Sequence, residues 1–344
     1  MKIFYSEKQK LHQPKFEWNF GEKVPYPEKY SREQVIRQAF EKKGYSSIMK
    51  EPREFAEKYI RNVHTHELVN HIKDCENKLK EGEEVYPHIF PYRTFEEDNK
   101  INLFKAGYHC FDVGTYLCKY TYVAARAAVD CALNGAELIL QGKEGRIFAM
   151  CRPPGHHASR NYYGGYCIFN NAAIAAFYLS HAGRVAVMDL DFHHGNGTQS
   201  IFYDQANVVY ISIHGDPKNN YPYFSGFKNE TGEGLGKGYN FNIPLPAGTT
   251  DDEYRIHFHR ALKELKKHKV KFLVLSMGFD IFKEDKLGDF DISEEFFHEI
   301  GKTINSLDMP VLACQEGGYN VENLGTIAGN FMDGFAGREI SSTT

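Results

Sequence analysis

The chain has 344 residues, 42% of them hydrophobic and 25% charged, with a formal net charge of −4, and this length is enough for one large core or two modest domains. A balanced charge without a concentrated basic face argues against nucleic-acid binding, and no segment approaches the roughly 20 apolar residues that cross a bilayer. The seven cysteines include no CxxC pair, and the start turns polar after five residues, so we expect a cytoplasmic protein in a reducing compartment.

Short apolar runs alternate along the chain with segments of helical spacing. The predicted strands are residues 2–5, 146–150, 184–188, 208–213, 272–276 and 310–314. The predicted helices are residues 31–40, 66–79, 121–139, 171–181, 251–268, 293–307 and 321–335, and Ser31 and Ser293 are typical helix starts. Strands that alternate with helices in this way indicate an α/β fold with an open, mostly parallel sheet and helices on both faces. We expect a single domain over residues 1–344.

Residues 81–120 break this rhythm, because aromatic and charged residues occur there without a clear period. A structureless segment of this length inside a compact domain is usually functional. One interpretation is a surface excursion with a short helix of its own. The other is a loop that walls an active site or contacts a second subunit, and the sequence alone leaves both open.

A predicted strand runs directly into the segment that contains Asp189, Asp191, His193 and His194. In an open parallel sheet, ligands bind outside the carboxyl ends of the strands. Asp191 and His193 are two residues apart, so on an extended strand end their side chains point to the same side. A carboxylate and an imidazole that converge in this way suit a cation such as Zn²⁺. The alternative is a helix-capping aspartate with a histidine beside it by chance.

Asp280 follows another predicted strand, at the end of the segment KFLVLSMGFD. A lone aspartate at a strand end often only caps the next element. Together with Asp191 and His193, however, it completes a set of three ligands. Three protein ligands leave zinc one coordination position for water, which is the mark of a catalytic site.

Two more segments that follow strands carry residues suited to catalysis. His156 and His157 lie in a loop after Pro153 and Pro154, and the pKa of histidine suits a general base and a general acid. Tyr319 follows two glycines, and its hydroxyl could donate a hydrogen bond to an oxyanion. The alternatives are a surface histidine pair without a function and a buried structural tyrosine.

The chain carries six motifs that resemble, in sequence and in order, those of the histone deacetylase and acetylpolyamine amidohydrolase family: RPPGHH, GGYCIFNNAAIAA, DLDFHHGNGTQ, SIHGDP, LSMGFD and EGGY. The resemblance implies one deacetylase domain with an arginase/deacetylase-type fold. It also implies one catalytic Zn²⁺ per chain, with the ligands Asp191, His193 and Asp280. The implied catalytic residues are His157 as general base, His156 as an electrostatic partner paired with Asp189, and Tyr319 as the donor to the substrate carbonyl.

The family also binds monovalent cations, and the resemblance implies one or two structural K⁺ sites. The first would use Asp189, Asp191, His193, Ser212 and Ile213, and the second Phe202, Gln205 and Val208. The implied walls of the substrate tunnel are Gly165, Tyr166 and Tyr221. Asn196 replaces the aspartate of class I histone deacetylases, which favours the class II and amidohydrolase branch.

The resemblance implies a zinc-dependent deacetylase that acts on an acetylpolyamine or on an acetyl-lysine-type substrate, as a small molecule or a peptide. The glutamates that attract polyamines in relatives would fall at Leu103 and Gly114, which leaves the substrate open. The segment 81–120 corresponds to a loop that closes a homodimer in bacterial relatives, so we expect a homodimer. Two alternatives stand beside this hypothesis: a manganese-dependent ureohydrolase on the same fold, and a non-catalytic protein that binds acyl amines.

Overall fold

The structure is a computed structural model, and it describes residues 1–90 and 107–340. The strands in these ranges are β1 (Lys2–Phe4), β2 (Phe16–Asn19), β3 (Glu22–Pro25), β4 (Met49–Lys50), β5 (Glu84–Val85), β6 (Leu117–Cys118), β7 (Arg146–Ala149), β8 (Val185–Asp189), β9 (Val208–Gly215), β10 (Asn240–Leu245), β11 (Phe272–Met277) and β12 (Val311–Gln315). The helices are α1 (Tyr30–Lys42), α2 (Lys58–Arg61), α3 (His66–Lys73), α4 (Cys75–Lys78), α5 (Thr121–Leu140), α6 (Asn171–Ser180), α7 (Asn196–Phe202), α8 (Asp251–Lys267), α9 (Glu294–Asn305) and α10 (Val321–Phe335).

Eight of these strands form one sheet, in the order β10-β9-β8-β11-β12-β7-β1-β4. All of its neighbouring strands run parallel. The central strands β8, β11 and β12 are buried along their whole length, as expected for parallel strands that are covered on both faces. Because all strands point the same way, the segments that follow β7, β8, β11 and β12 emerge at one edge of the sheet.

Helices cover both faces of the sheet, which confirms the predicted α/β class. Helices α5 and α6 pack on one face, and α1, α8, α9 and α10 lie on the other. Successive residues of a strand point to opposite faces. In β8, accordingly, Val185 and Val187 belong to the first core, whereas Ala186 and Met188 belong to the second.

Several predicted elements differ from the observed ones. The single helix expected over residues 66–79 is wrong, because α3 ends at Lys73 and α4 begins at Cys75, with Asp74 between them. Ser31 does not start α1, which begins at Tyr30 without a side-chain cap. Ser293 does cap α9, since its hydroxyl accepts from the backbone N–H of Phe296. The sequence analysis missed the edge strands β4 and β10 and the antiparallel pairs β2–β3 and β5–β6.

The segment predicted to be an inserted loop is closed at its base by β5 and β6, which pair with each other. The loop therefore begins after Val85 and ends before Leu117. Residues 91–106, including Leu103, lie outside the described residues. The role expected for this loop in a dimer stays a prediction. None of the described helices combines the length and the apolar composition that a bilayer crossing requires.

Candidate active site

Asp191, His193 and Asp280 meet at the carboxyl edge of the sheet. One potential ligand atom from each lies within 4.8 Å of the other two. Nδ1 of His193 is 3.0 Å from Oδ2 of Asp280 and 3.4 Å from Oδ1 of Asp191. Both carboxylates are fully buried. The structure thus brings together three residues from two separate strand ends, in an arrangement that could hold one metal ion.

The backbone around this cluster fixes the carboxylates. Strand β8 already ends at Asp189, so Asp191 and His193 converge through a bend and not through the expected extended strand. Oδ1 of Asp191 accepts from the backbone N–H of His193 at 2.9 Å, and Oδ1 of Asp280 accepts from that of Phe192 at 2.9 Å. The backbone N–H of Gly317 donates to Oδ2 of Asp191 at 2.7 Å.

The electrostatics of the cluster call for a cation. Burial, and then the charge of Asp191, raise the pKa of Asp280 to about 7. Burial disfavours a charged His193, but the two carboxylates outweigh it and raise the pKa of this imidazole to about 10. The proton on His193 therefore supplies the positive charge that two buried carboxylates require. A bound metal ion would supply that charge instead, so the donor set fits a divalent cation.

His156 and His157 lie beside this cluster, with their ring centroids 4.0 Å apart. Both side chains are almost completely buried. Nδ1 of His156 is hydrogen-bonded to Oδ2 of Asp189 at 3.1 Å, the pairing that the resemblance implied. Nδ1 of His157 donates to Oδ1 of Asn196 at 2.7 Å, which leaves its Nε2 free to accept a proton.

The two histidines have opposite pKa shifts. Burial disfavours a charged His156, but the carboxylates of Asp191 and Asp189 outweigh it and raise its pKa to about 10. Burial lowers the pKa of His157 well below its ordinary value, and the neighbouring His156 and His193 lower it further. The site therefore holds a charged imidazole next to a neutral one, a division of roles that suits acid–base chemistry.

Tyr319 closes the site from the segment after β12. Burial raises the pKa of its hydroxyl well above 10, so the group is a proton donor at neutral pH. The guanidinium carbon of Arg32 lies 4.7 Å from the centroid of the tyrosine ring. Arg32 also donates to the backbone carbonyls of Gly318 and Glu316 and forms a buried ion pair with Glu28. These contacts hold the ring and the backbone of Tyr319 in place.

The three expected tunnel residues also lie at the site. The ring of Tyr166 is 5.7 Å from that of Tyr319, and the ring of Tyr221 is 4.9 Å from that of His157. Gly165 adopts a left-handed backbone with φ of +57°, and a Cβ at this position would collide with the ring of His157. The two tyrosines and the glycine therefore lie beside the catalytic candidates, and their role as tunnel walls stays a prediction.

The residues of the implied K⁺ sites are distributed over β8, α7 and β9. Asp189 and Ser212 are Cα partners on the adjacent strands β8 and β9, and Ile213 follows directly. The carboxylate of Asp189 already accepts from Tyr210 and from His156. Phe202, Gln205 and Val208 lie on the turn from α7 to β9, where the backbone N–H of Gln205 donates to the carbonyl of Phe202 at 3.1 Å. Both K⁺ sites stay predictions.

Sequence reasoning missed Arg32, which lies in a polar stretch of a helix and shows no signal of burial. A second potential ligand group consists of His156, Cys167 and Glu316. Burial raises the pKa of the Cys167 thiol well above its ordinary value. Glu316 accepts from the backbone N–H groups of Gly155 and His156. Because these residues already contact other groups of the protein, we interpret the group as structural and not as a metal site.

Comparison with known proteins gives consistent matches along the chain. The family model of the histone deacetylase domain matches residues 26–335. The chain is 38% identical to acetylpolyamine amidohydrolase 2 of Pseudomonas aeruginosa, over 98% of its own length and 99% of the relative. It is 34% identical to the acetylpolyamine amidohydrolase of Mycoplana ramosa, over 98% of its own length and 100% of the relative. These matches confirm the resemblance.

Solved structures agree with these sequence matches. The chain is similar to an acetylpolyamine aminohydrolase from Burkholderia pseudomallei, with a TM-score of 0.90 and 36% identity over 98% of both chains. It is also similar to the HD domain of HDA15, with a TM-score of 0.83 and 29% identity, over 100% of this chain and 89% of that one. The arginase/deacetylase-type fold is thereby confirmed.

Proposed function

The chain belongs to the histone deacetylase family, and from that premise we propose that it is a zinc-dependent amidohydrolase that removes an acyl group from an acylated amine. The observation that carries the proposal is the convergence of Asp191, His193 and Asp280 beside His157 and Tyr319. We treat residues 1–344 as one deacetylase domain. The dimer formed through residues 81–120 and the cytoplasmic location stay predictions.

Asp191, His193 and Asp280 would hold the zinc ion. Two carboxylates and one imidazole are ligands that zinc accepts, and a set of three matches catalytic rather than structural sites. When bound, zinc supplies a Lewis acid that polarises the substrate carbonyl and acidifies water. His194 is turned away, since its Nδ1 faces the hydroxyl of Ser212 at 3.4 Å, which supports His193 as the ligand from this pair.

His157 is the general base in this proposal. Its Nδ1 proton is committed to Asn196, so Nε2 takes a proton from the attacking water and returns it to the leaving amine. The lowered pKa keeps the ring neutral before the reaction. Charged His156, held by Asp189, stabilises negative charge as it develops in the site.

Tyr319 stabilises the charge that develops on the substrate carbonyl oxygen. Its hydroxyl stays protonated at neutral pH because burial raises its pKa. Arg32 supports the ring from behind, which keeps the donor in place during the reaction and limits reorganisation.

Potassium ions at the two candidate sites would stiffen the loops behind the zinc ligands. The first site would use Asp189, Ser212 and Ile213 next to the zinc ligands, and the second Phe202, Gln205 and Val208. The support for this part is the family resemblance and the pairing of Asp189 with Ser212 across β8 and β9. Thermal unfolding in potassium and in sodium buffers of equal ionic strength tests it.

The names of the relatives support an acetylpolyamine as the substrate, because the similar proteins of Pseudomonas aeruginosa and Mycoplana ramosa are both named acetylpolyamine amidohydrolases. The aromatic rings of Tyr166 and Tyr221 beside Gly165 suit an extended methylene chain. Such a chain occurs both in a polyamine and in acetyl-lysine.

A substrate panel tests the proposal. Zinc-loaded protein should release acetate from at least one of N-acetylputrescine, N-acetylcadaverine, a longer acetylpolyamine and an acetyl-lysine peptide, and a chelator should abolish the release. Hydrolysis of none of them by protein with one zinc per chain would refute the assignment. Two manganese ions per chain with urea release would instead identify a ureohydrolase.

A further inference from the structure

Asp112 connects two walls of the candidate tunnel through its carboxylate. Oδ2 accepts from the hydroxyl of Tyr221 at 2.8 Å and also from the backbone N–H of Gly165. Oδ1 accepts from the backbone N–H groups of Gly114 at 3.1 Å and Thr115 at 3.0 Å, which anchor the carboxylate to its own loop. One side chain therefore ties the loop that follows residue 106 to both sides of the tunnel.

The same loop also fixes Tyr166. The hydroxyl of Thr115 accepts from the backbone N–H of Tyr166 at 2.9 Å. Tyr166 has a φ of +64°, a left-handed conformation that is costly for a residue with a Cβ. Such a conformation persists only where neighbouring contacts hold it. Thr115 supplies such a contact to Tyr166 itself, and Asp112, three residues earlier, supplies one to the preceding Gly165.

The hydrogen bond from its hydroxyl to Asp112 holds the side chain of Tyr221 in position. Its ring meets His157 edge-on and stacks on Phe111 at 6.2 Å. The bond to Asp112 adds an anchor at the hydroxyl end of the ring, which the contacts between rings do not supply. Any shift of this ring would change the width of the tunnel directly next to the general base.

We propose that Asp112 is a positioning residue that sets the width of the tunnel by holding Tyr221 and Gly165, and that it thereby holds the substrate chain beside the general base. The proposal rests on the proposed function, since it concerns the substrate of that same site. Because the carboxylate is occupied by protein donors, it acts through the walls and not by contact with the substrate.

The competing explanation is a direct attraction between Asp112 and a cationic substrate. Glu17 makes this explanation serious, because it places a second acidic group next to Gly114 and Tyr166, although burial raises its pKa to about 7. A pair of substrates separates the two explanations. N-acetylputrescine carries a terminal ammonium, whereas N-butylacetamide has the same chain without the charge.

A double-mutant cycle between Asp112 and Tyr221 tests the proposal. Tyr221→Phe should lower kcat/KM about tenfold, the loss expected for one hydrogen bond to a charged group. Asp112→Ala should lower it at least as much, because this variant also loses the bond to Gly165. The double variant should be no worse than Asp112→Ala alone, because the bond between the two side chains is already lost in that single variant. KM should rise more than kcat falls, since the walls hold the chain before and during the reaction.

Each variant should lower kcat/KM by the same factor for N-acetylputrescine as for N-butylacetamide. A reduction confined to the cationic substrate would overturn positioning in favour of charge attraction, and additive effects in the cycle would overturn the link to Tyr221. Asp112→Asn keeps one acceptor oxygen and should lie between Asp112→Ala and the wild type. If Asp112→Ala does not fold, Asp112→Asn replaces it in the cycle. Asp308→Asn, an exposed acid remote from the site, is the matched control and should leave both substrates unaffected.

A binding experiment separates a failure of this proposal from a failure of the proposed function. Zinc-loaded protein should bind N-hydroxyhexanamide, a linear hydroxamate, in a calorimeter without any turnover. The affinity should fall in Tyr221→Phe and at least as far in Asp112→Ala. Unchanged affinity in both variants would overturn the positioning role. A wild-type protein that binds the hydroxamate but hydrolyses no amide would refute only the proposed function.

Discussion

Replacing Tyr319 with phenylalanine removes a single oxygen atom from the site. The hydroxyl forms no hydrogen bond with another side chain in the described part of the chain, and Arg32 and Tyr166 contact the ring, which the variant keeps. The free energy of unfolding should therefore change by less than about 0.5 kcal/mol. Loss of one oxyanion donor costs roughly 3 kcal/mol, so kcat should fall by about 10²–10³.

Acetate release under saturating N-acetylputrescine gives kcat, and urea unfolding gives the stability. Tyr45→Phe is the matched control, because its hydroxyl donates to Asp333 at 2.8 Å in a buried position far from the site. This control should lose about 1 kcal/mol of stability with no change in kcat. If Tyr319→Phe kept wild-type kcat, or lost stability in proportion to activity, the proposed oxyanion role would be wrong.

Three further predictions concern the metal ligands and the core. In Gly317→Ala, the added Cβ would lie 2.5 Å from an oxygen of Asp280 and 2.6 Å from one of Asp191. The variant should therefore lose zinc in elemental analysis while it stays folded by circular dichroism. Full zinc content would contradict this prediction. Zinc binding must displace the proton of His193 and, below about pH 7, also that of Asp280. Competition titrations should therefore find a zinc affinity that rises with pH, and that rises more steeply below pH 7 than above it. An affinity that does not change with pH would count against these ligands. Burial lowers the pKa of His64 to about 4, because the fold prefers the neutral ring. Its contribution to stability should be complete above pH 6.5 and should fall by about 3 kcal/mol as the pH approaches 4, and a His64→Gln variant should unfold in urea with a weaker dependence on pH in this window.

The central strands and the meeting of Asp191, His193 and Asp280 were predictable because their signals are local. Strands β8, β11 and β12 are continuous apolar runs, which parallel strands buried on both faces require. Asp191, His193 and Asp280 follow such runs directly, so the geometry of a parallel sheet brings them to one edge. The pairing of His156 with Asp189 was predictable only through the family resemblance.

Other features depend on contacts that one sequence does not reveal. Strand β10 carries Asn240 and Asn242, whose amides bond Gln199, and these polar residues hide the strand from a pattern search. Arg32 reads as an exposed helix residue, yet it is fully buried because Glu28 and two backbone carbonyls satisfy its charge. The link from Asp112 to Tyr221 joins residues more than 100 positions apart.

The position of the metal ion tests the account most directly. Crystals grown with zinc and measured on both sides of the zinc absorption edge would locate the ion by its anomalous signal. We predict one strong peak per active site, within bonding distance of Asp191, His193 and Asp280. Two metal peaks in the site, or a peak held by His156, Cys167 and Glu316, would contradict the account.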